Sequence, residues 1–288
     1  MCRRPNTTRG SPRAWKHFVH IVWTGIGSCT VTVRAVDLAQ RLDRLLGVDG
    51  HPEYPAALNG LQFDHVGPVR RIAAAVDVSQ RVIDGAAEAG ANFLIVHHGL
   101  FWGGAQPVVG TQYERYRKLF QHDIAVYSAH LPLDSHPEFG NNALLAREFG
   151  LVPSRPFASY QGVPIGVAGD TDMPTEAILS LADAFARRFG GRARASSIPA
   201  MHRTRRWAIC TGAGASSDTL REAEATNIQT LITGEGPHHT AVEAPERGVV
   251  VIYAGHYATE TPGVAAIAER VASDSGVPWT FISAPTGL

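Results

Sequence analysis

The stretch Phe93-Leu94-Ile95-Val96-His97-His98-Gly99-Leu100-Phe101-Trp102 decides the fold that this sequence predicts. Its four leading apolar residues are typical of a buried β-strand, and two imidazoles at the end of a strand present nitrogen ligands at the edge of a sheet. Gly99 would let the chain leave the strand sharply, so that both imidazoles can face one site. Taken alone, the pair also fits a strand cap beside a solvent-facing histidine.

The segments next to this stretch predict a βαβ unit. An apolar run at 72–78 indicates a buried strand, Ser79 is a suitable cap for a helix at about 80–89, and a second strand follows at 92–96. Two strands joined through a helix are expected to be parallel. Further strands are expected at 124–128, 163–168, 206–211, 230–233, 249–254 and 279–282, and further helices at 35–46, 112–120, 141–149, 174–189, 218–225, 240–247 and 262–273.

This alternation predicts an α/β protein made of two interlinked α/β domains with largely parallel sheets. Two segments rich in βαβ units flank a middle segment with a different pattern. We therefore assign 33–130 with 235–288 to one domain and 131–234 to the other. Prolines within 153–156 interrupt the chain at a plausible junction. Residues 1–32 lie outside both domains, as a disordered extension or the product of a wrongly assigned start.

Composition and charge exclude several classes of protein. Of 288 residues, 44% are apolar and 18% charged, which is ordinary for a globular protein. The 26 basic and 26 acidic residues balance, and five of the basic ones lie in 1–30, which leaves a mildly acidic body. This balance argues against nucleic-acid and anionic-membrane partners.

The cysteine pattern and the length of the apolar runs bear on the compartment. The three cysteines are far apart and form no CxxC pair, so neither a disulfide framework nor a structural zinc knuckle is expected. No apolar run approaches the ~20 residues of a membrane helix. The sequence therefore predicts a reducing, cytoplasmic location.

Clusters of histidine and acidic residues follow four of the predicted strands. Beside the His97-His98 pair, these are His130-Leu131-Pro132-Leu133-Asp134, Gly234-Glu235-Gly236-Pro237-His238-His239 and Gly255-His256-Tyr257-Ala258-Thr259-Glu260. The carboxyl ends of parallel strands share one edge of a sheet, so clusters far apart in sequence can meet there. The sequence therefore predicts a metal site at the strand C-terminal ends.

Imidazole and carboxylate ligands together suit zinc, iron, manganese, cobalt or nickel. Three histidines with two carboxylates exceed the needs of one open four-coordinate ion and fit two ions that share a bridging carboxylate and a water. His256 and Glu260 would face one side of a helix, although such a pair is also common on protein surfaces. Pro262 suggests that the regular helix starts late and leaves the pair on a turn.

Five motifs then occur in order along the chain: Asn59-Gly60-Leu61-Gln62, His97-His98-Gly99-Leu100-Phe101-Trp102, His130-Leu131-Pro132-Leu133-Asp134 with Gly140-Asn141-Asn142, Thr233-Gly234-Glu235, and Gly255-His256-Tyr257-Ala258-Thr259-Glu260. Together they resemble the dinuclear metal centre family, also called the NGG-interacting-factor-three-like family, whose members carry the name GTP cyclohydrolase 1 type 2 homolog. The resemblance runs from about Val33 to the C-terminus and is to the short bacterial form.

This resemblance implies a ligand set, an assembly and an activity. By position, the family's metal ligands fall on His97, His98, Asp134, His256 and Glu260, with Asp134 as the carboxylate that bridges two divalent ions. The family fold implies a hexameric ring with the sites facing an inner cavity. The family name points to ring opening of a guanine nucleotide, although the sequence shows no purine-recognition motif.

The remaining candidate residues each have two interpretations. His130 and Glu235 are candidates for proton transfer or for holding the ligands in place, and either could instead be structural. The His238-His239 pair either binds substrate or begins a helix in solvent. Gly212-Ala213-Gly214 lacks the third glycine of a dinucleotide loop, and Trp102 is expected to pack rather than stack on a base.

Three functions remain open from the sequence. The first is a metal-dependent hydrolase that acts on an unidentified small molecule with a metal-bridging water. The second is a non-enzymatic metal-handling protein, a chaperone, insertase or store, which would use the same five ligands. The third is a regulatory interaction protein, as the family's interaction-derived name suggests.

Overall fold

The computed structural model describes residues 20–24 and 28–288. In its first part, β1 (His20–Thr24) and β2 (Ser28–Thr32) pair as an antiparallel two-stranded sheet. The extension expected at 1–32 falls largely on 1–19 and 25–27, which lie outside the described residues, so it stays a prediction. The α/β body begins with α1 (Ala35–Leu46), over the range that the sequence predicts.

A five-stranded sheet forms the first part of this body. Its spatial order is β13 (Trp279–Phe281), β4 (Ile72–Asp77), β5 (Phe93–His98), β6 (Ala125–Ser128) and β3 (Gly60–Phe63), and all pairs are parallel except β6 with β3. Phe93 and Ile95 pack on the face that α1 covers. Leu94 and Val96 pack on the face that α2 (Gln80–Glu88) and α3 (Gly110–Gln121) cover. Burial on both faces explains why β5 is a continuous apolar run.

A six-stranded sheet forms the second part. Its order is β7 (Arg155–Tyr160), β8 (Val163–Pro174), β10 (Arg203–Cys210), β11 (Thr230–Thr233), β12 (Val250–Tyr253) and β9 (Arg194–Ala195). The pairs β10–β11 and β11–β12 are parallel, and the outer pairs are antiparallel. Helices α5 (Asn141–Glu148) and α6 (Thr175–Arg187) cover one face, and α7 (Ser217–Ala225) and α8 (His238–Glu246) cover the other.

The α/β class and the two sheets are confirmed, and the differences lie mainly in the second sheet. The sequence predicted a break at 153–156, but β7 begins at Arg155 and includes Pro156. Because β7 is an edge strand, the missing N–H of a proline removes no necessary ladder bond. The hairpin of β7 with β8, which continues to Pro174, makes this sheet mixed rather than largely parallel.

The last helix, α9 (His256–Ser275), connects the two sheets. Ala258 packs in the core of the second sheet, whereas Val264, Ile267 and Val271 pack in the core of the first. The sequence predicted a helix from 262 onward, but α9 begins at His256 and contains Pro262. Within the described ranges, no helix combines the length and the apolar character needed to span a membrane.

Candidate metal centre

The paired histidines belong to β5 itself and are held by different neighbouring strands. Nδ1 of His97 donates to the carbonyl oxygen of Ala129, just after β6, at 2.8 Å. Nδ1 of His98 donates to Oδ1 of Asp77, the last residue of β4, also at 2.8 Å. Because each Nδ1 is engaged in a hydrogen bond, both Nε2 atoms remain available for a ligand. The two ring centroids are 4.8 Å apart, which is close enough for the Nε2 atoms to share one site. Asp77, which also ends a strand, is a functional candidate that the sequence analysis missed.

Gly99 serves a different purpose from the sharp turn that the sequence predicted. Its φ is not in the left-handed region, and a Cβ there would lie 2.2 Å from Nε2 of Gln62. Gln62 accepts a hydrogen bond from the backbone N–H of Leu100 through Oε1, at 2.6 Å. The absence of a side chain at Gly99 therefore allows Gln62 to fix the chain directly after the two histidines.

His256 and Glu260 lie one turn apart at the start of α9, on a helix rather than on a turn. Nε2 of His256 is 3.1 Å from Oε2 of Glu260, and Nδ1 of His256 donates to Oε1 of Glu235 at 2.8 Å. Glu260 is only 3% exposed, which excludes the interpretation of a surface i,i+4 pair. The pKa of His256 is about 9, because the Glu260 and Glu235 carboxylates outweigh the opposing effect of burial.

The Glu260 carboxylate lies between imidazoles from both parts of the chain. Its Oε1 is 3.5 Å from Nε2 of His97, and its Oε2 is 3.5 Å from Nε2 of His98. Burial alone would raise the pKa of Glu260, but His97 and His98 hold it well below the usual value. In the described part of the chain, Oε2 of Glu260 and Nε2 of His97 and of His256 are buried without a hydrogen-bond partner.

Asp134, at the end of the single turn α4 (Leu131–Asp134), approaches His97 from the other side. Its Oδ2 is 3.5 Å from Nε2 of His97, and its Oδ1 accepts from Nδ2 of Asn141 at 2.8 Å. Burial opposes protonation of His97, but Asp134 and Glu260 raise its pKa well above the usual value. The structure thus brings all five predicted ligands together, with Glu260 rather than Asp134 at the centre.

The two residues predicted for proton transfer occupy different positions. Glu235 holds His256 through Nδ1, whereas Nδ1 of His130 donates to Oε1 of Glu53 at 2.9 Å. The ligand atoms of His97, His98 and His130 lie within 4.8 Å of one another, so His130 faces the site. Burial lowers the pKa of His130 and favours its neutral form. Glu53 gave no signal in the sequence, because it lies in a turn-rich segment without a recognisable motif.

Of the two glycines around Ala213, Gly212 approaches the Glu260 carboxylate and Gly214 approaches Cys210. Gly212 has a φ of +60°, and a Cβ on it would lie 2.0 Å from Oε1 of Glu260. The backbone therefore comes close enough to shape the Glu260 pocket. His238 and His239 are exposed at the start of α8, as the second of their two interpretations expected.

A cavity of about 340 Å³ opens onto this cluster and is lined by His98, His130, Asp134, His256 and Glu260. Trp102 lines this cavity and is 42% exposed. Its ring centroid is 4.6 Å from that of His130 and 4.8 Å from that of His98. The cluster is thus reachable by a small molecule across an aromatic side chain.

Comparison with known proteins gives consistent matches over most of the chain. The model of the Duf34/NIF3 (NGG1p interacting factor 3) family matches residues 33–286. A GTP cyclohydrolase 1 type 2 homolog of Deinococcus radiodurans is 42% identical over 255 residues, covering 88% of this chain and 94% of the relative. A protein of the same name from Halobacterium salinarum is 45% identical over 266 residues, covering 88% of this chain and 98% of the relative.

A solved structure agrees with these sequence matches. The crystal structure of TTHA1606 from Thermus thermophilus has a TM-score of 0.74 and 38% identity, over 88% of this chain and 98% of that chain. The fold described above is therefore shared along nearly the whole α/β body. From the family match and these relatives together, this chain belongs to the Duf34/NIF3 family.

Proposed function

We propose that the protein is a metal-dependent hydrolase that holds two divalent ions through His97, His98, Asp134, His256 and Glu260. The observation that carries this proposal is the group of buried nitrogen and oxygen atoms without hydrogen-bond partners at the centre of the cluster. Buried polar atoms are costly when unpaired, and imidazole and carboxylate donors suit zinc, iron, manganese, cobalt or nickel.

The arrangement of the donors supports two ions rather than one. Oε1 of Glu260 faces His97, which Asp134 also approaches, while Oε2 of Glu260 faces His98 and His256. Each half thus contains imidazole nitrogen and carboxylate oxygen, and Glu260 belongs to both. All three imidazoles donate through Nδ1 to an oxygen, which fixes the tautomer that leaves Nε2 free to coordinate.

The chemistry follows from this cluster and its surroundings. When bound, two divalent ions lower the pKa of a water between them and polarise the bond to be broken. His130 is neutral and can accept a proton at Nε2, because its Nδ1 proton is held by Glu53. Trp102 lines the cavity beside His98 and His130 and offers an aromatic surface to a small molecule there. We also propose that the chain assembles into a hexameric ring and is located in the cytoplasm. Its substrate would be a small molecule that is not yet identified.

A metal-handling role is the second candidate. The His256 side chain is 25% exposed, so one half of the cluster has a route to the cavity. An ion that can leave through such a route can also be delivered to an acceptor. Transfer of metal to a competing chelator within minutes would favour this role, whereas retention through many turnovers would favour the hydrolase.

The proposed function is tested by metal analysis together with a hydrolysis assay. Protein purified without chelator should contain about two divalent ions per chain, and Asp134→Ala should contain fewer. GTP is the first substrate to test, because the relatives named above are called GTP cyclohydrolase 1 type 2 homologs. Release of formate by the wild type and its loss in Asp134→Ala would support the hydrolase. A wild type that cannot be loaded beyond one ion would contradict the dinuclear centre.

Metal binding is expected to release protons at neutral pH. Since the pKa of His256 is about 9, its imidazole is protonated at about pH 7.5 in the metal-free protein and must lose a proton to coordinate. The apparent metal affinity should therefore rise with pH, by about tenfold per unit for each proton released, until pH passes the pKa of His256. Calorimetric titration with Zn²⁺ in two buffers of different ionisation enthalpy measures the number of protons.

The control for this measurement is Glu235→Gln. This variant removes one of the two carboxylates that raise the pKa of His256, so the pH dependence should shift to lower pH. Binding without proton release at about pH 7.5 would contradict the role of His256 as a ligand.

A further inference from the structure

A second cavity of about 410 Å³ adjoins the first. The two cavities share His98, Trp102 and His256 as lining residues, so both border the proposed metal centre. Arg115 of α3 and Ser79, the N-cap of α2, line the second cavity but not the first. Its volume lies within the range of small-molecule sites.

Arg115 is unusual among the charged residues of α3, because it has no partner in the described part of the chain. On the same helix, Arg117 pairs with Glu114, and Lys118 pairs with Asp84. No described residue forms a hydrogen bond or an ion pair with Arg115, and its Nε atom is buried. It is the one arginine nitrogen of the described residues that is both buried and unpaired.

Burial of an unpaired guanidinium nitrogen is unfavourable unless a ligand supplies the acceptor. The planar guanidinium donates in a fork geometry that matches the oxygens of a phosphate or a carboxylate. The acidic residues that line the same cavity do not compete, because Asp77 is bound to His98 and Glu235 is bound to His256. The N-terminal end of α2 adds a favourable field for an anion beside Ser79.

We propose that this cavity binds an oxyanion group, a phosphate or a carboxylate, of the molecule on which the metal centre acts, and that Arg115 is the residue that binds it. The inference rests on the proposed function for its role in the reaction, but the binding itself needs only the cavity. The anion would then lie in a cavity that His98 and His256 also line, next to the proposed metal centre. Arg115 would thereby orient an anionic substrate across the two cavities.

The test uses the full-length, metal-free protein, so that no metal ion can bind the anion instead. Calorimetric titration with inorganic phosphate and, separately, with acetate identifies the kind of oxyanion. We expect saturable binding of at least one of them by the wild type. Arg115→Gln should weaken that binding about 10- to 100-fold, the usual effect of losing a charged hydrogen-bond donor.

Arg117→Gln is the matched control, because it removes the same charge from the same helix without touching the cavity. It should bind the anion as the wild type does. Equal affinities of the two variants, or no binding of either anion by the wild type, would overturn the proposal. The metal content of Arg115→Gln should equal that of the wild type.

A measurement on the wild type alone covers the case in which Arg115→Gln does not fold. Phenylglyoxal modifies arginine side chains, and peptide mass spectrometry can follow Arg115 and Arg117 separately. Bound phosphate or acetate should slow the modification of Arg115 and leave that of Arg117 unchanged, and equal rates for Arg115 with and without anion would contradict the site. These measurements use metal-free protein, so a lack of anion binding would contradict the anion site alone. A failure of the protein to bind metal would contradict the metal centre instead.

Discussion

Glu260→Gln is expected to reduce the metal content of the purified protein from about two ions per chain to near zero. The amide keeps the size of the side chain but loses the charge and one oxygen donor. Because Glu260 faces His97 with one oxygen and His98 and His256 with the other, both halves of the site lose a ligand at once. We expect each affinity to fall by at least about 100-fold, more than the loss of a residue that only supports a ligand.

Elemental analysis after gel filtration measures this effect, and Glu269→Gln is its control. Glu269 is exposed on the same helix, so its replacement has the same charge effect outside the site. Asp134→Ala should retain more metal than Glu260→Gln, since Asp134 approaches only His97 among the three imidazoles. A larger loss of metal in Asp134→Ala than in Glu260→Gln would instead support Asp134 as the bridging carboxylate, as the family resemblance implies.

Gly212→Ala is expected to cause the second-largest loss of metal, although Gly212 has no side chain to coordinate it. A methyl group there would lie 2.0 Å from Oε1 of Glu260, so the carboxylate has to move. The positive φ of +60° adds about 1–2 kcal/mol of backbone strain for any residue with a Cβ. Metal affinity should fall by about 10- to 100-fold, as it does when the positioning of a ligand is lost.

Gly248→Ala is the control that separates the effect of backbone strain from the effect of displacing Glu260. Gly248 has a φ of +68°, and a Cβ on it would meet no atom within 4 Å. Both variants should therefore lower the thermal unfolding temperature to a similar extent, but only Gly212→Ala should lose metal. Full metal content in Gly212→Ala would contradict this prediction, because it would show that the Glu260 carboxylate can move and still bind metal.

The sequence predicted which residues lie at strand ends within each part of the chain. It did not show that the strand ends of two separate sheets come together. Buried runs before His97, His130, Glu235 and His256 place these residues after neighbouring parallel strands, and parallel strands share a carboxyl edge. The structure follows this logic in both sheets, and all four residues lie in or beside one cluster. The family resemblance added the selection of five residues as ligands and a bridging role for Asp134.

The parts that the sequence analysis missed depend on contacts between distant segments. Glu53 fixes His130 from a loop without periodicity, and Gly212 approaches Glu260 from a strand end that resembled a poor nucleotide loop. The start of α9 was wrong because Pro262 is a strong helix breaker in isolation. In the protein, the first turns of α9 are buried by both sheets, and this packing compensates for the hydrogen bond that Pro262 cannot make.

The position of α9 in the chain has a consequence for when the proposed metal ligands come together during synthesis. His97 and His98 emerge from the ribosome long before Glu260, which follows the last strand of the second sheet. A nascent chain therefore presents only a partial set of ligands until α9 docks against the first sheet. If these residues hold metal as proposed, the complete set of ligands exists only after nearly the whole polypeptide has been made.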